Sequence, residues 1–141
     1  MTLEEAIHTY LAAQTDVTDI VSTRLYQGKR PQGSDLPALT YEVTSDSDVD
    51  YQDGATGLSE AYVSFDCWAA DPGGAKTLRD ALRGVLHGKP CGTLGTVTVD
   101  AIRLQESNLV EYPPQDKSDA GKYSYECSYV FWYRTTVPSF S

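Results

Sequence analysis

Lys122-Tyr123-Ser124-Tyr125-Glu126-Cys127-Ser128-Tyr129-Val130-Phe131-Trp132-Tyr133-Arg134 is the stretch on which the reading of the fold turns. Successive side chains of a strand point to opposite faces. Tyr123, Tyr125, Cys127, Tyr129, Phe131 and Tyr133 therefore share one side, and Ser124, Glu126, Ser128, Val130, Trp132 and Arg134 share the other. A helix would mix the two sets, whereas a strand keeps them apart. Unbroken, the run would span about 43 Å at roughly 3.3 Å per residue, well beyond the common strand of five or six residues. Tyr125, Tyr129 and Phe131 are expected to fill the core side of a sheet, and Trp132 to point away from it.

Moving back along the chain, Val97, Val99 and Ala101 mark another strand, its phase blurred by Ile102 and Leu104. Before it, Asp71-Pro72 supplies a cap and a first-turn proline for a helix that puts Ala75, Leu78, Leu82 and Val85 on one side. Gly88 and Pro90 are its stop signals. Ala61, Val63, Phe65 and Cys67 alternate with Tyr62, Ser64 and Asp66, as Leu39, Tyr41 and Val43 do with Thr40, Glu42 and Thr44. These two runs form an antiparallel pair if the polar stretch between them folds back as a hairpin. At the start, Thr2-Leu3-Glu4-Glu5 is a capping-box pattern. Leu3, Ile7, Tyr10 and Leu11 then make an apolar helical stripe to about Gln14. A short second helical turn after Asp16 carries Val17, Ile20 and Val21, and Arg24-Leu25-Tyr26 leads into a Gly/Pro-rich loop from Gly28 to Pro37.

Strand pairs separated by a helix predict an α+β fold. The expected architecture is a four-stranded, mainly antiparallel sheet with two main helices on one face and a short extra helix. Residues 1–141 read as one domain, a size that buries roughly 70% of its unfolded surface without a disulfide or metal. Long loops are expected at Ser45–Glu60 and Ser107–Gly121, which suits reaching a neighbour. Ten tyrosines and two tryptophans stand against three phenylalanines, and amphipathic aromatics suit surfaces that are wet alone and dry in a complex. Tyr51, Tyr62, Tyr112, Trp68 and Trp132 lie at outward strand phases or in loops. With the hairpin acids Asp46, Asp48, Asp50 and Asp53 they are the candidate subunit or partner interface.

Twenty acidic against eleven basic residues give a formal charge of −9, which repels phosphate and anionic headgroups, and no basic run reverses it locally. No stretch approaches the eighteen or so apolar residues of a membrane span. Met1-Thr2-Leu3-Glu4-Glu5 lacks the basic start and apolar run of a signal peptide. Cys67, Cys91 and Cys127 are odd in number and widely spaced, the pattern of reduced packing residues in a cytoplasm.

The chemical constellations are incomplete. His8 and His87 are the only imidazoles, each with a structural explanation, and neither stands beside a nucleophile in sequence. Gly73-Gly74-Ala75-Lys76-Thr77 has the end of a phosphate loop but Ala69 where its first glycine belongs. Asp46, Asp48 and Asp50 alternate like calcium ligands, yet Tyr51 and Gly57 replace the glycine and glutamate that such a loop requires. The cysteines and histidines are too dispersed for zinc. The reading is of a protein without catalytic residues, cofactor or metal.

In the order and spacing of its segments the chain resembles the tail-completion, or tail-terminator, family of long-tailed bacteriophages and prophages. The resemblance is carried by Leu3-Glu4-Glu5-Ala6, by Val21-Ser22-Thr23-Arg24-Leu25-Tyr26 leading to Pro31-Gln32-Gly33, and by Leu36-Pro37-Ala38-Leu39-Thr40-Tyr41. It continues through Gly57-Leu58-Ser59-Glu60-Ala61-Tyr62-Val63-Ser64-Phe65-Asp66-Cys67-Trp68-Ala69 and Gly92-Thr93-Leu94-Gly95 to Phe131-Trp132-Tyr133-Arg134. It implies a subunit that forms a ring, usually of six, on the finished tail tube and offers the docking surface for the head. The implied partners are further copies of itself, the tube protein and head connector proteins, with DNA passing through unbound. The implied location is the head-proximal end of the virion tail, after assembly in the bacterial cytoplasm. Two alternatives stand beside it: a head-side connector or stopper of the neck, and a cytoplasmic small-ligand-binding domain.

Overall fold

The computed structural model describes residues 3–28, 36–51, 54–86, 92–94, 97–112 and 122–134. Its first helix, α1 (Leu3–Ala12), buries Leu3, Ala6, Ile7 and Leu11, the stripe read from the sequence. It ends two residues early because Ala13 and Gln14 tighten into three-residue hydrogen bonds to Tyr10 and Leu11. A second helix, α2 (Thr15–Val21), buries Val17 and Val21, and is closed by Ser22, whose φ of 55° lets its N–H reach the Thr18 carbonyl. The cap expected at Thr2 lies outside the described residues, as do residues 29–35 of the Gly/Pro-rich loop, the stop signals Gly88 and Pro90, and Cys91.

Among the described residues the sheet has six strands, not the expected four. They are β1 (Leu25–Gln27), β2 (Ala38–Tyr51), β3 (Gly54–Ala69), β4 (Gly92–Leu94), β5 (Val97–Tyr112) and β6 (Lys122–Arg134), in the order β1-β2-β3-β6-β5-β4. The two additions are three-residue edge strands, too short to show an alternation. β1 is parallel to β2, with Leu25 opposite Leu39, so the sheet is mixed, while every other pair is antiparallel. Arg24 fixes that parallel edge by donating its Nε–H to the Pro37 carbonyl at 2.7 Å.

The expected long loops are also largely strand. Residues 45–51 and 54–60 continue the β2–β3 ladder, with Asp48 opposite Ser59 and Tyr51 opposite Gly54. Polar composition hid this, since serine and aspartate dominate residues 45–50 and carry no strand signal. In the same way β5 runs on to Tyr112, leaving 113–121 of the expected second loop outside the described residues. β6 is unbroken and central, paired along its length with β3 on one side and β5 on the other. The register shifts fall on its neighbours' ladders: Val43/Ser45 and Asp48/Asp50 in the β2–β3 pair, Val99/Ala101 and Leu104/Glu106 in the β5–β6 pair. The latter two explain the blurred phase around Ile102 and Leu104.

One side of the sheet carries the core. Leu39, Tyr41, Ala61, Val63, Phe65, Cys67, Cys127, Tyr129, Phe131 and Tyr133 pack with the buried faces of α1, α2 and the third helix, α3 (Pro72–Leu86). Phe65 is the hub: Tyr129 meets it edge-on at 5.4 Å and Phe131 stacks at 6.4 Å. Such ring pairs contribute roughly 0.5–1.5 kcal/mol each beyond burial. Helix is locked to helix where the Tyr10 hydroxyl donates to the Val85 carbonyl at 2.6 Å. α3 begins at Asp71, whose carboxylate accepts from the Gly74 N–H while its carbonyl accepts from Ala75. A Cβ on Gly74 would lie 2.9 Å from Asp71 Oδ1 and 3.1 Å from the Ala69 Cβ. The glycine is therefore a requirement of a tight cap.

Candidate functional site

With three helices on one side, the other face of the sheet is open among the described residues. Register defines its rows. Thr40, Asp66, Glu126 and Asn108 form one, and Glu42, Ser64, Ser128 and Glu106 the next. Beyond them Tyr62 and Trp132 flank Val130, with Arg103 opposite Val130 and Glu60 opposite Trp132. On the other side Trp68 and Ser124 meet Ala38 and Val110. Three of the nine interface residues expected from sequence, Tyr62, Trp68 and Trp132, thus share this face, and all three are half-buried.

Trp68 lies over the neighbouring strand rather than standing clear of it. Its Nε1–H donates to Thr40 Oγ1 at 3.1 Å, and Thr40 is buried beneath. Thr40 in turn hydrogen-bonds Asp66, so tryptophan, threonine and carboxylate form one chain. Burial, and then the opposing Glu126, push the Asp66 carboxyl up to about 6 despite the Thr40 bond. Tyr62 is engaged by Glu60, whose hydrogen bond raises the phenol above its ordinary range. Five carboxylates (Glu42, Glu60, Asp66, Glu106 and Glu126) make the face acidic. Arg103 sits among them, and Arg134 at the strand end is held by Asp100 at 2.7 Å. Ser64, Glu106, Asn108, Glu126 and Ser128 rim a depression of about 220 Å³.

The hairpin acids behave differently. The register shift after Val43 turns Asp46 toward the helix side, opposite Ala61, where Tyr133 donates to it. Asp48, Asp50 and Tyr51 lie in β2 and Tyr112 ends β5, but their side chains, and Asp53 altogether, are outside the described residues. Among the described residues no three of His, Cys, Asp or Glu gather in a geometry that could hold a metal ion.

A hollow of about 510 Å³ lies between α1 and the β1 edge and is lined by Glu5, His8, Thr9, Leu25, Tyr26, Gln27 and Tyr41. His8 is exposed there, with the Tyr41 ring 6.4 Å away, and no thiol joins it. Cys67 and Cys127 are free and buried in the core, as read from the sequence, and burial pushes the Cys67 thiol well up. His87 lies outside the described residues. The reactive groups described are dispersed, whereas the amphipathic aromatics converge on one open face.

A one-sided helix layer, an open aromatic and acidic sheet face and an extended hairpin characterise the subunit. The chain belongs to the tail completion protein gp17 family, whose model matches residues 5–118. It is accordingly a structural protein of phage tails. No curated protein matches it. Among solved structures, it shares its fold with a chain of the virion of a native gene transfer agent particle. That likeness has a TM-score of 0.66 over 94% of each chain at 16% identity.

Proposed function

We propose that this protein caps the finished tail tube as a closed ring of its own copies, usually six, and presents the surface to which the head docks. The observation that carries this reading is the open sheet face, where Tyr62, Trp68 and Trp132 lie half-buried around Val130 and the acidic rows. Aromatic residues with one wet and one apolar side are enriched where protein surfaces close on each other. The family membership supplies the tail, and the fold shared with a chain of a virion particle fits a virion component. The long β2–β3 hairpin, in which the Asp46–Tyr51 and Gly54–Glu60 portions continue the ladder, is the arm that reaches tube or neighbour. The acidic surface suits a channel that DNA traverses without sticking. Partners are therefore further copies of the chain, the tube protein and the head connector, at the head-proximal end of the tail. The head-docking surface is protein, and neither catalysis nor a cofactor enters.

The test is negative-stain microscopy of tails assembled with and without the protein. Overlong, uncapped tubes in its absence support termination. Normal tails with unattached heads would overturn it in favour of a connector of the neck.

A further inference from the structure

The acidic sheet face has a basic complement on the same chain. On α3 the exposed positions are Pro72, Gly73, Lys76, Thr77, Asp80, Arg83 and Gly84. Asp80 is held by Arg79 of its own helix at 2.8 Å. Among the described residues, Lys76 and Arg83 form no ion pair with a carboxylate. They project from a surface otherwise lined by small side chains. Seven residues apart, they lie on one side of the helix about 10 Å from each other at 1.5 Å per residue.

The sheet face offers a matching spacing. Glu42 on β2 and Glu126 on β6 are two strands and two residues apart, as are Asp66 on β3 and Glu106 on β5. Strand and residue spacings make each diagonal about 12 Å. Between the rows, Ser64, Glu106, Asn108, Glu126 and Ser128 line the depression with oxygen acceptors, with room for a lysine or arginine head group. Asp66 and Glu126 stand directly opposite each other, an arrangement that costs stability in an isolated sheet.

Resting on the ring reading above, we propose that the ring closes when the α3 face of one copy, through Lys76 and Arg83, docks on the acidic sheet face of the next, between Glu42, Asp66, Glu126 and Glu106. The two patches lie on different faces of the subunit, which is what a head-to-tail interface between identical copies requires. Tyr62, Trp68 and Trp132 border the acidic rows and supply the apolar contact that a purely ionic surface would lack. Those rings also favour a protein over DNA as the occupant, because a lumen that passes DNA gains nothing from half-buried aromatics.

The experiment is a charge-reversal cycle read as the fraction of tail tubes bearing a ring. Glu42→Lys with Glu106→Lys, and separately Lys76→Glu with Arg83→Glu, should each lower ring-bearing tubes by about tenfold or more. All four changes in one chain should restore them to within about threefold of the starting protein. Circular dichroism verifies that each variant is folded, and the milder Gln substitutions, giving a smaller loss of the same sign, replace any that is not. Rings undiminished by either reversal, or unrestored by the combination, overturn the assignment of faces and leave the ring itself intact. Normal rings that retain double-stranded DNA when the sheet is reversed would place that face on the channel, which also overturns it. Absence of rings with the unaltered chain sinks the ring reading instead, and this proposal with it.

Discussion

The hydroxyl of Tyr133 donates to both carboxylate oxygens of Asp46, at 2.8 and 2.7 Å, and so ties the root of the β2–β3 hairpin to the end of β6, 87 residues away. The bond exists because the register shift between Val43 and Ser45 turns Asp46 to the core side of the sheet. Burial, and then the carboxylate beside it, raise the Tyr133 phenol, so it stays protonated and donating across ordinary pH. Tyr133→Phe keeps the ring and removes only the donor. A hydrogen bond to a charged, partly solvated acceptor is worth about 1 kcal/mol, so the variant should unfold at lower urea with an unchanged slope. Amide exchange should accelerate around Asp46 and Ala61 and remain slow at Phe65 and Tyr129. Uniform acceleration would mean that the bond serves the whole domain rather than the arm.

Asp66 makes stability depend on pH in the direction opposite to most carboxylates. Its carboxyl is raised to about 6 in the fold against 3.8 ordinarily, so the folded state holds the proton more tightly than the unfolded chain does. Its favourable contribution is complete below about pH 4 and is lost as pH rises through about 6. The residue is partly solvated, so screening limits the effect to about 1 kcal/mol. Asp66→Asn should therefore be the more stable protein at pH 8, with the difference closing toward pH 4. Thermal unfolding of the two across that range checks the sign, and a gap that widened on acidification would refute the assigned cause.

Two glycines of α3 should respond oppositely to the same substitution. At Gly74 the new methyl meets Asp71 Oδ1 at 2.9 Å and disrupts the cap, so Gly74→Ala should cost about 1–2 kcal/mol. At Gly84, exposed within the helix, nothing lies within 4 Å, and the gain in helix propensity should make Gly84→Ala more stable by up to about 1 kcal/mol. Denaturant midpoints of the two variants decide this. A loss at both positions would point to a surface constraint on α3 that the isolated chain does not reveal.

Wherever a core lies beneath a strand, the alternation is legible in the sequence: Ala61, Val63, Phe65 and Cys67 share one phase and are buried together, as are Tyr129 and Phe131. Leu25–Gln27 and Gly92–Leu94 escaped notice because three residues cannot display a period, and their pairing is decided by tertiary neighbours. Residues 45–51 and 54–60 read as a loop because their sequence is rich in serine, aspartate and glycine, although the backbone pairs them as a ladder. Tyr62, Trp68 and Trp132 were placed outward by phase alone, whereas the inward turn of Asp46 depends on a register shift that no local pattern announces. The acidic rows were invisible for a related reason, since Glu42, Asp66, Glu106 and Glu126 come together only through strand order.

The arm and the aromatic face can be separated from the core by two further variants. Asp48 pairs with Ser59, so replacing residues 49–58 by Asn-Gly would close the shortened hairpin with a two-residue turn and leave the Asp46–Tyr133 bond in place. Trp132→Ala removes a half-buried ring that lies opposite Glu60 and Ala101, away from the core cluster. Both proteins should keep their far-UV circular dichroism and lose only a few degrees of thermal stability, roughly 1 kcal/mol. Both should nevertheless reduce capped tubes by about tenfold or more, because a central aromatic and a reaching arm carry a disproportionate share of an interface's energy. If the shortened hairpin caps normally while Trp132→Ala does not, contact is made by the sheet face alone. Unfolding of both would instead assign these residues to the fold.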